Sequence, residues 1–319
     1  MRFYIHTGNH NNSNGIGDTV TLLKHALQDC GHVACISHRL EPGHVNLVIE
    51  HFVDEASLRG LLEARRKGAR LVLIGTEPII GGTFNGGIDA SHWHYSNRDY
   101  WQLRFDAFRV AARMADAIWV LAESMVPAYA ELFPQLPVRF LPHGWAGDFA
   151  TVRQRPEHER DIDFYFSGSL TEHRKQILRE LAREHVVVVD DHATPEYLRL
   201  DHLSRAKVCL SLRLSPANRI PSVSRMHFHL QNRSFLLHEA YELPSPLDPF
   251  VLTAAPEDLV PWALAALQLP NRRQLADQAH DRFRDALPMS RLMPPLLEEL
   301  IARLEREPAP ATPPLARAA

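Results

Sequence analysis

The stretch RFYIHTGNHNNSNGIGDTVTLLKHALQDC, residues 2–30, decides the fold. A short apolar run, RFYIH, gives way to a loop of glycine and asparagine, and then to a segment whose apolar positions recur at helical spacing. This is one βα unit of a parallel sheet. The rhythm continues, with strands predicted at HVACI, NLVIEHF, RLVLIG, AIWVLA and VRFLP and amphipathic segments such as DYWQLRFDAFRVAARMA among them. After Trp145 it breaks into WAGDFATVRQRPEHERDI, a polar stretch without a period that reads as a domain connection.

A second series follows. Strands are predicted at DFYFSG, HVVVVD, KVCLSLRL, RSFLLH and PFVLT, and helices at EHRKQILRELARE, EYLRLDHLSRA and EDLVPWALAALQ. Three helical segments close it, the last being PLLEELIARLERE. The prediction is an α/β fold of two doubly wound, Rossmann-like parallel-sheet domains facing a cleft, residues 1–146 and 147–306. The Pro/Ala-rich tail, 307–319, is expected to be disordered.

Composition agrees with this. With 319 residues, 45% hydrophobic and 23% charged, the chain can bury two cores. A formal net charge of −3 argues against nucleic acid as a partner. Cys30, Cys35 and Cys209 form no CxxC pair, so neither a disulfide framework nor a cysteine zinc site is expected, and the thiols are expected to be buried. No apolar run reaches the length of a membrane span and no leader is evident; the cytoplasm is the expected compartment.

The opening loop invites a dinucleotide reading, which requires GxGxxG and an acidic residue ending the second strand. Here Gly15 and Gly17 are followed by Val20, and HVACISHR ends in Ser37 and His38. NAD is therefore disfavoured. Two readings remain, a glycine-rich turn capped by Asp18 or a functional loop. Its four asparagines and three glycines allow backbone N–H groups to face an anion, and loops at the carboxyl ends of parallel strands line ligand crevices.

Two other stretches carry chemistry. In DFYFSGSLTEHRKQIL a strand meets a small-residue turn, Ser167, Gly168 and Ser169, with Arg174 and Lys175 close behind, a combination suited to a diphosphate or simply to a βα turn. In NRIPSVSRMHFHLQNRSFLLHEAYELPSP, Glu239 ends a strand where a carboxylate can accept both hydroxyls of a ribose or face solvent, and Arg219 or Arg225 can meet phosphate charge.

These stretches resemble the GT-B glycosyltransferases. LPHGW, residues 141–145, is similar to the P-N-G element of many members and places His143 at the cleft. FSGSL resembles their F-V-G-x-L turn. SRMHFHLQNRSFLLHEA resembles their R-x-x-E-x-x-x-x-G-x-x-x-x-x-E segment. The resemblance implies a nucleotide-sugar donor held by the C-terminal domain and an acceptor on the N-terminal side, a saccharide, a lipid-linked sugar or a protein. A lipid-linked acceptor would bring peripheral contact with a membrane. Glu239 takes the ribose position, and Arg174, Lys175, Arg219 and Arg225 become diphosphate candidates. Retaining members with paired glutamates would have the partner of Glu239 at Gln231, which is an amide, so inverting transfer is expected.

Inversion needs a base on the N-terminal side. Glu77, Asp18 and His10 qualify by position, Glu77 in the glycine-rich loop GTEPIIGGTFNGG, which is too long for mere connection. No cofactor beyond the nucleotide-sugar co-substrate is expected. No metal is expected either, since fixed cations can neutralise the diphosphate; DID at Asp161 and DD at Asp190 read as solvated carboxylates, and HWH, residues 92–94, lacks a third ligand. An epimerase of the same fold and a non-catalytic sugar- or nucleotide-binding protein are the rival readings.

Overall fold

The computed structural model describes residues 1–10, 15–86, 88–89, 92–147, 149 and 152–306. The tail expected to be disordered and residues 11–14 of the opening loop lie outside these.

In chain order the elements are β1 (Arg2–His6), α1 (Gly17–Asp29), β2 (Val33–Ser37), β3 (Val45–Ile49), α2 (Glu55–Arg66), β4 (Arg70–Gly75), β5 (Ile79–Ile80), β6 (Thr83–Phe84), α3 (Arg98–Ala112), β7 (Ala117–Val120), α4 (Val126–Leu132) and β8 (Val138–Phe140). Then come β9 (Ile162–Ser167), α5 (Glu172–Leu181), β10 (Val187–Asp190), α6 (Glu196–Arg205), β11 (Ala206–Ser211), α7 (Val223–Gln231), β12 (Leu236–Glu239), β13 (Leu252–Ala254), α8 (Leu259–Leu267), α9 (Arg272–Ala286), α10 (Met289–Leu292) and α11 (Pro294–Arg306). Every strand expected from an apolar run is present.

All pairings in the two large sheets are parallel, in the orders β2-β1-β3-β4-β7-β8 and β10-β9-β11-β12-β13. Helices cover such sheets on both faces, so central strands are apolar throughout: VNLVI of β3 is buried at every position. The edge strand β2 instead exposes Val33 and Ile36.

Topology positions the cleft. In each sheet the chain steps outward from the first strand and then returns to its other side, so the switch points lie between β1 and β3 and between β9 and β11. At such a point the following loops diverge and leave a crevice beyond the carboxyl ends. The loops after β1, β3, β9 and β11 all contribute residues to one cavity.

The closing helices return to the first sheet. Backbone bonds join Trp145 to Leu287 and Met289, Arg139 of β8 pairs with Glu299 of α11 at 2.6 Å, and Arg70 of β4 donates to the Leu304 carbonyl. Residues 147–306 thus do not all pack around the second sheet.

Four local expectations are corrected. GTEPIIGGTFNGG is not a loose loop: Ile79–Ile80 and Thr83–Phe84 pair as an antiparallel hairpin turning through Gly81 and Gly82, both at positive φ. Asp18 does not cap α1, because it lies within the first turn and the N-cap is Ile16, without a side-chain bond. Asp190 is buried and held by His202 at 3.0 Å instead of being solvated. Of the thiols only Cys209 is buried; Cys30 and Cys35 are half-buried.

Candidate active site

The cavity between the sheets has a volume of about 740 Å³. Residues from both halves line it, among them Gly15, Gly17, Asp18, His10, Glu50 and Glu77 from the first, and Ser167, Gly168, Ser169, Arg174, Arg199 and Arg225 from the second.

On the first side the carboxylates are organised by Arg104 of α3. Its Nε donates to Glu50 Oε1 at 3.1 Å, and Nη2 reaches both Glu50 Oε2 and, at 3.1 Å, Glu77 Oε1. Burial opposes the charge on Arg104, but Glu50 and Glu77 overcome it and hold the guanidinium protonated above its ordinary range. Asn85, at a left-handed φ of 52° just after the hairpin, donates to Glu77 Oε2 at 2.7 Å. The Tyr129 hydroxyl donates to the Glu77 carbonyl at 2.7 Å, and Gly75 leaves room for that ring, since a Cβ there would stand 2.9 Å from it. Glu77 is therefore a positioned carboxylate with 23% of its side chain exposed.

His10 stacks on His51 with centroids 4.9 Å apart, and its Nε2 is buried without a partner. Burial, with help from His51 and Arg104, lowers its pKa to about 4, so the ring is neutral near pH 7. Asp18 is engaged differently. Both its oxygens accept from Arg199 of α6, at 2.7 and 3.2 Å, so the carboxylate ties one half to the other.

On the second side, Gly168 has a φ of +139°, and a Cβ on it would stand 2.7 Å from Nη2 of Arg225 and 3.6 Å from Nη1 of Arg174. Only glycine lets the two guanidiniums crowd this turn. Both lie over the Phe166 ring, at 5.1 and 5.4 Å. Burial and then Arg225 lower the Arg174 pKa to about 10, and burial lowers that of Arg225.

Their roles differ. Arg174 donates through Nε, Nη1 and Nη2 to the carbonyls of Arg213, Ser169 and Leu212, clamping the loops after β9 and β11 together. Arg225 has a buried Nη1 without a partner. Across the gap stands Tyr95, whose hydroxyl pKa is raised by burial and by Glu77.

Other expected ligands stand elsewhere. Lys175 pairs with Glu172 at 3.7 Å and Arg219 with Glu242 at 2.6 Å, both pairs at the exposed surface, and neither lines the cavity. Glu239 is fully buried: His173 Nε2 donates to it at 2.8 Å and the Arg213 amide at 2.7 Å, so its oxygens are spent inside the second half. The Gly168 amide donates to the Asp190 carbonyl, which removes one of the three N–H groups expected to face an anion. His143 is buried and, with its pKa lowered to about 4 by burial, neutral. Its Nδ1 donates to the Leu141 carbonyl, which leaves Nε2 to accept from Ser224 of α7 at 3.2 Å, behind the cavity wall.

Glu50, Tyr95, Arg104 and Arg199 were not singled out from sequence. Glu50 follows β3 directly, so the rule that marked the loops after β1 and β4 also marks it; the two arginines sit mid-helix, where no pattern identifies them. Among the described residues no group of three or more metal-ligating side chains comes together, and no helix is long and apolar enough to cross a membrane.

No family model matches the chain, and no curated protein matches it. Solved structures do. T4 phage BGT in complex with UDP and Mn2+ superposes with a TM-score of 0.58 at 12% identity, covering 94% of this chain and 99% of that one. A point mutant of T4 phage BGT in complex with UDP-glucose gives 0.57 at 11% identity with the same coverage. TarM gives 0.47 at 12% identity over 82% of this chain, which spans only 54% of the TarM chain. The chain therefore has the GT-B glycosyltransferase fold, two Rossmann-like domains facing a common cleft.

Proposed function

We propose that the chain is an inverting glycosyltransferase that moves a sugar from a nucleotide-diphosphate donor to an acceptor hydroxyl, with Glu77 as base. One observation carries the reading: within a single cleft, a positioned carboxylate from the first domain faces two guanidiniums of the second that form no ion pair among the described residues.

In this reaction Glu77 takes the proton of the acceptor hydroxyl, whose oxygen attacks the anomeric carbon from the face opposite the diphosphate. The anomeric C–O bond breaks and its electron pair leaves with the phosphate. Arg225, supported by Arg174, meets that charge in a partly dry site, where fixed cations act more strongly than in water. His10 is the alternative base through its unpartnered Nε2. Asp18, bound at both oxygens by Arg199, is assigned to holding the domains together.

Arg225 supplies the positive charge that a metal otherwise would, so transfer is expected to proceed in the presence of a chelator. The solved neighbours hold UDP or UDP-glucose, which makes uridine nucleotides the first donors to test. The experiment is a thermal-shift panel of UDP, GDP, CMP and dTDP sugars, since a ligand of the folded state raises the unfolding temperature. The stabilising donor is then incubated with and without acceptors and the anomeric configuration of the product is read by NMR. An inverted product supports the proposal. Failure of every nucleotide to stabilise the protein sinks it; binding without transfer favours a binding protein, and a changed sugar on the nucleotide favours an epimerase.

A further inference from the structure

The cations that line the cavity are committed before an acceptor arrives. On the first side Arg104 is the one arginine or lysine among the described lining residues, and Glu50 and Glu77 hold it. On the second, Arg199 is spent on Asp18 and Arg174 on three carbonyls, which leaves Arg225 for the donor phosphate. Of the histidines on the first side, His10 is neutral near pH 7, His51 bonds the Asn9 carbonyl and the Tyr100 hydroxyl, and His38 bonds Thr7. Around the proposed base, then, two carboxylates stand against a single guanidinium.

The wall beside Glu77 is apolar, and backbone bonds fix it there. Pro78 follows Glu77 directly. Leu121, just past β7, donates its amide at 3.3 Å to the carbonyl of Gly75, two residues before Glu77, and the Met125 amide bonds to the Ala122 carbonyl at 3.0 Å. Ile88 donates its amide at 3.2 Å to the carbonyl of Asn85, the residue whose side chain holds Glu77 Oε2. All five of Pro78, Ile88, Leu121, Ala122 and Met125 line the cavity. Ile88, Ala122 and Met125 are buried, whereas Pro78 and Leu121 are half-buried and offer open surface.

We propose that the acceptor is an uncharged alcohol whose hydroxyl is flanked by an apolar group, as in an aryl or alkyl glycoside; this rests on the transferase reading above. A hydroxyl poised on Glu77 sets the atoms behind it against Pro78 and Leu121, where apolar surface gains by leaving water. Such a pairing of an apolar wall with a few placed polar groups is the usual build of a small-molecule site. A phosphate in the same place would meet Glu77 and Glu50 with one guanidinium between them and no arginine to spare, the reverse of what phosphate recognition calls for. Sugar phosphates and nucleic acid are therefore rejected as acceptors.

The test uses the full chain with the nucleotide sugar that stabilises it, and three matched acceptor sets built on glucose, galactose and N-acetylglucosamine, each comprising the free sugar, its 6-phosphate and its phenyl β-glycoside. Transfer is followed by mass spectrometry. In at least one set the phenyl glycoside is expected to exceed the free sugar ~10-fold in kcat/KM, as burial of part of an aromatic ring implies, and the 6-phosphate is expected to fall below it. Leu121→Ser should remove most of the phenyl advantage through KM, and Leu121→Met should retain it, with donor affinity by calorimetry unchanged in both, which shows that they are folded. A 6-phosphate preferred to its free sugar, or a phenyl glycoside with no advantage in any set, overturns the proposal, as does a phenyl advantage indifferent to Leu121→Ser. Donor binding with no phenyl glycoside glycosylated, while another acceptor is, removes this acceptor class and leaves the transferase reading in place; failure of every nucleotide to bind removes both.

Discussion

Arg199 of α6 donates through both terminal nitrogens to Asp18 of α1, at 2.7 and 3.2 Å, while its guanidinium lies 4.4 Å from the centre of the Phe228 ring. This bond joins the domains across the cleft and occupies a carboxylate that would otherwise be free to serve as a base. Asp18→Asn and Arg199→Gln are each expected to raise the donor KM several-fold, and the double variant to be little worse than either. A coupling of about 1 kcal/mol is expected, at the modest end of the range for contacting residues because both side chains are partly exposed. Steady-state kinetics of the cycle check it. A collapse of kcat in Asp18→Asn that Arg199→Gln does not share would return Asp18 to the base role.

Glu77 makes a sharper prediction. Glu77→Gln keeps the volume and can still accept from Asn85, so donor affinity by calorimetry is expected to remain near wild type. Turnover should fall by roughly 10²- to 10⁴-fold, the usual contribution of a general base. His10→Gln is the comparison: a loss there as large as in Glu77→Gln, with Glu77→Gln nearly active, would move the proton to the imidazole.

Arg174 and Arg225 look alike in sequence, yet the structure separates them. Arg225→Ala removes a cation with an unpartnered nitrogen, so donor affinity should drop ~10- to 100-fold while the Tm hardly changes. Arg174→Ala strips the clamp from the carbonyls of Arg213, Ser169 and Leu212, of which Leu212 keeps only a long bond from the Tyr241 hydroxyl, and is expected to cost about 2–4 kcal/mol of stability as well. Gly168→Ala should weaken the donor in the same way, because its methyl group meets the Arg225 guanidinium, and should also lower the Tm, because its φ disfavours any side chain. Equal Tm losses for Arg174→Ala and Arg225→Ala would refute the division of labour.

What could be read from sequence follows from where the physics is local. Strands such as RLVLIG and VNLVI, buried on both faces, are continuous apolar runs, and the helices between them keep their period, so both sheets were visible. The hairpin was not, because two strands of two residues are shorter than any periodic window. Glu77, His10, Arg174 and Arg225 were legible as strand ends and loop or helix cations near glycine turns. Their partners were not: Arg104 meets Glu50 across 54 positions, and Arg199 meets Asp18 across 181. Glu239 shows the converse failure. A carboxylate ending a strand reads the same whether it faces a ribose or a buried histidine, and only the packing of His173 and the Arg213 amide decides between them.

The buried histidines set the response to acid. Burial lowers His143 to about 4 and His227, His229 and His238 to about 3, from an ordinary 6.5. Each is neutral when folded, whereas in the unfolded chain it takes a proton below pH 6.5. The unfolded state therefore binds more protons as pH falls, and stability declines; the contribution is complete above 6.5 and is lost progressively down to the folded values. Each group costs about 1.4 kcal/mol per pH unit in that window, so four of them rival a domain's total stability of roughly 5–15 kcal/mol within one to two units. A cooperative acid transition is expected near pH 5, well above the carboxylate range, with an uptake of several protons. His229 is fully buried with neither ring nitrogen partnered, so His229→Leu removes one proton site at little cost in bonding and should move the midpoint to lower pH. Circular dichroism against pH measures both; a wild-type midpoint below pH 4, or no shift in the variant, would show that these rings do not govern acid stability.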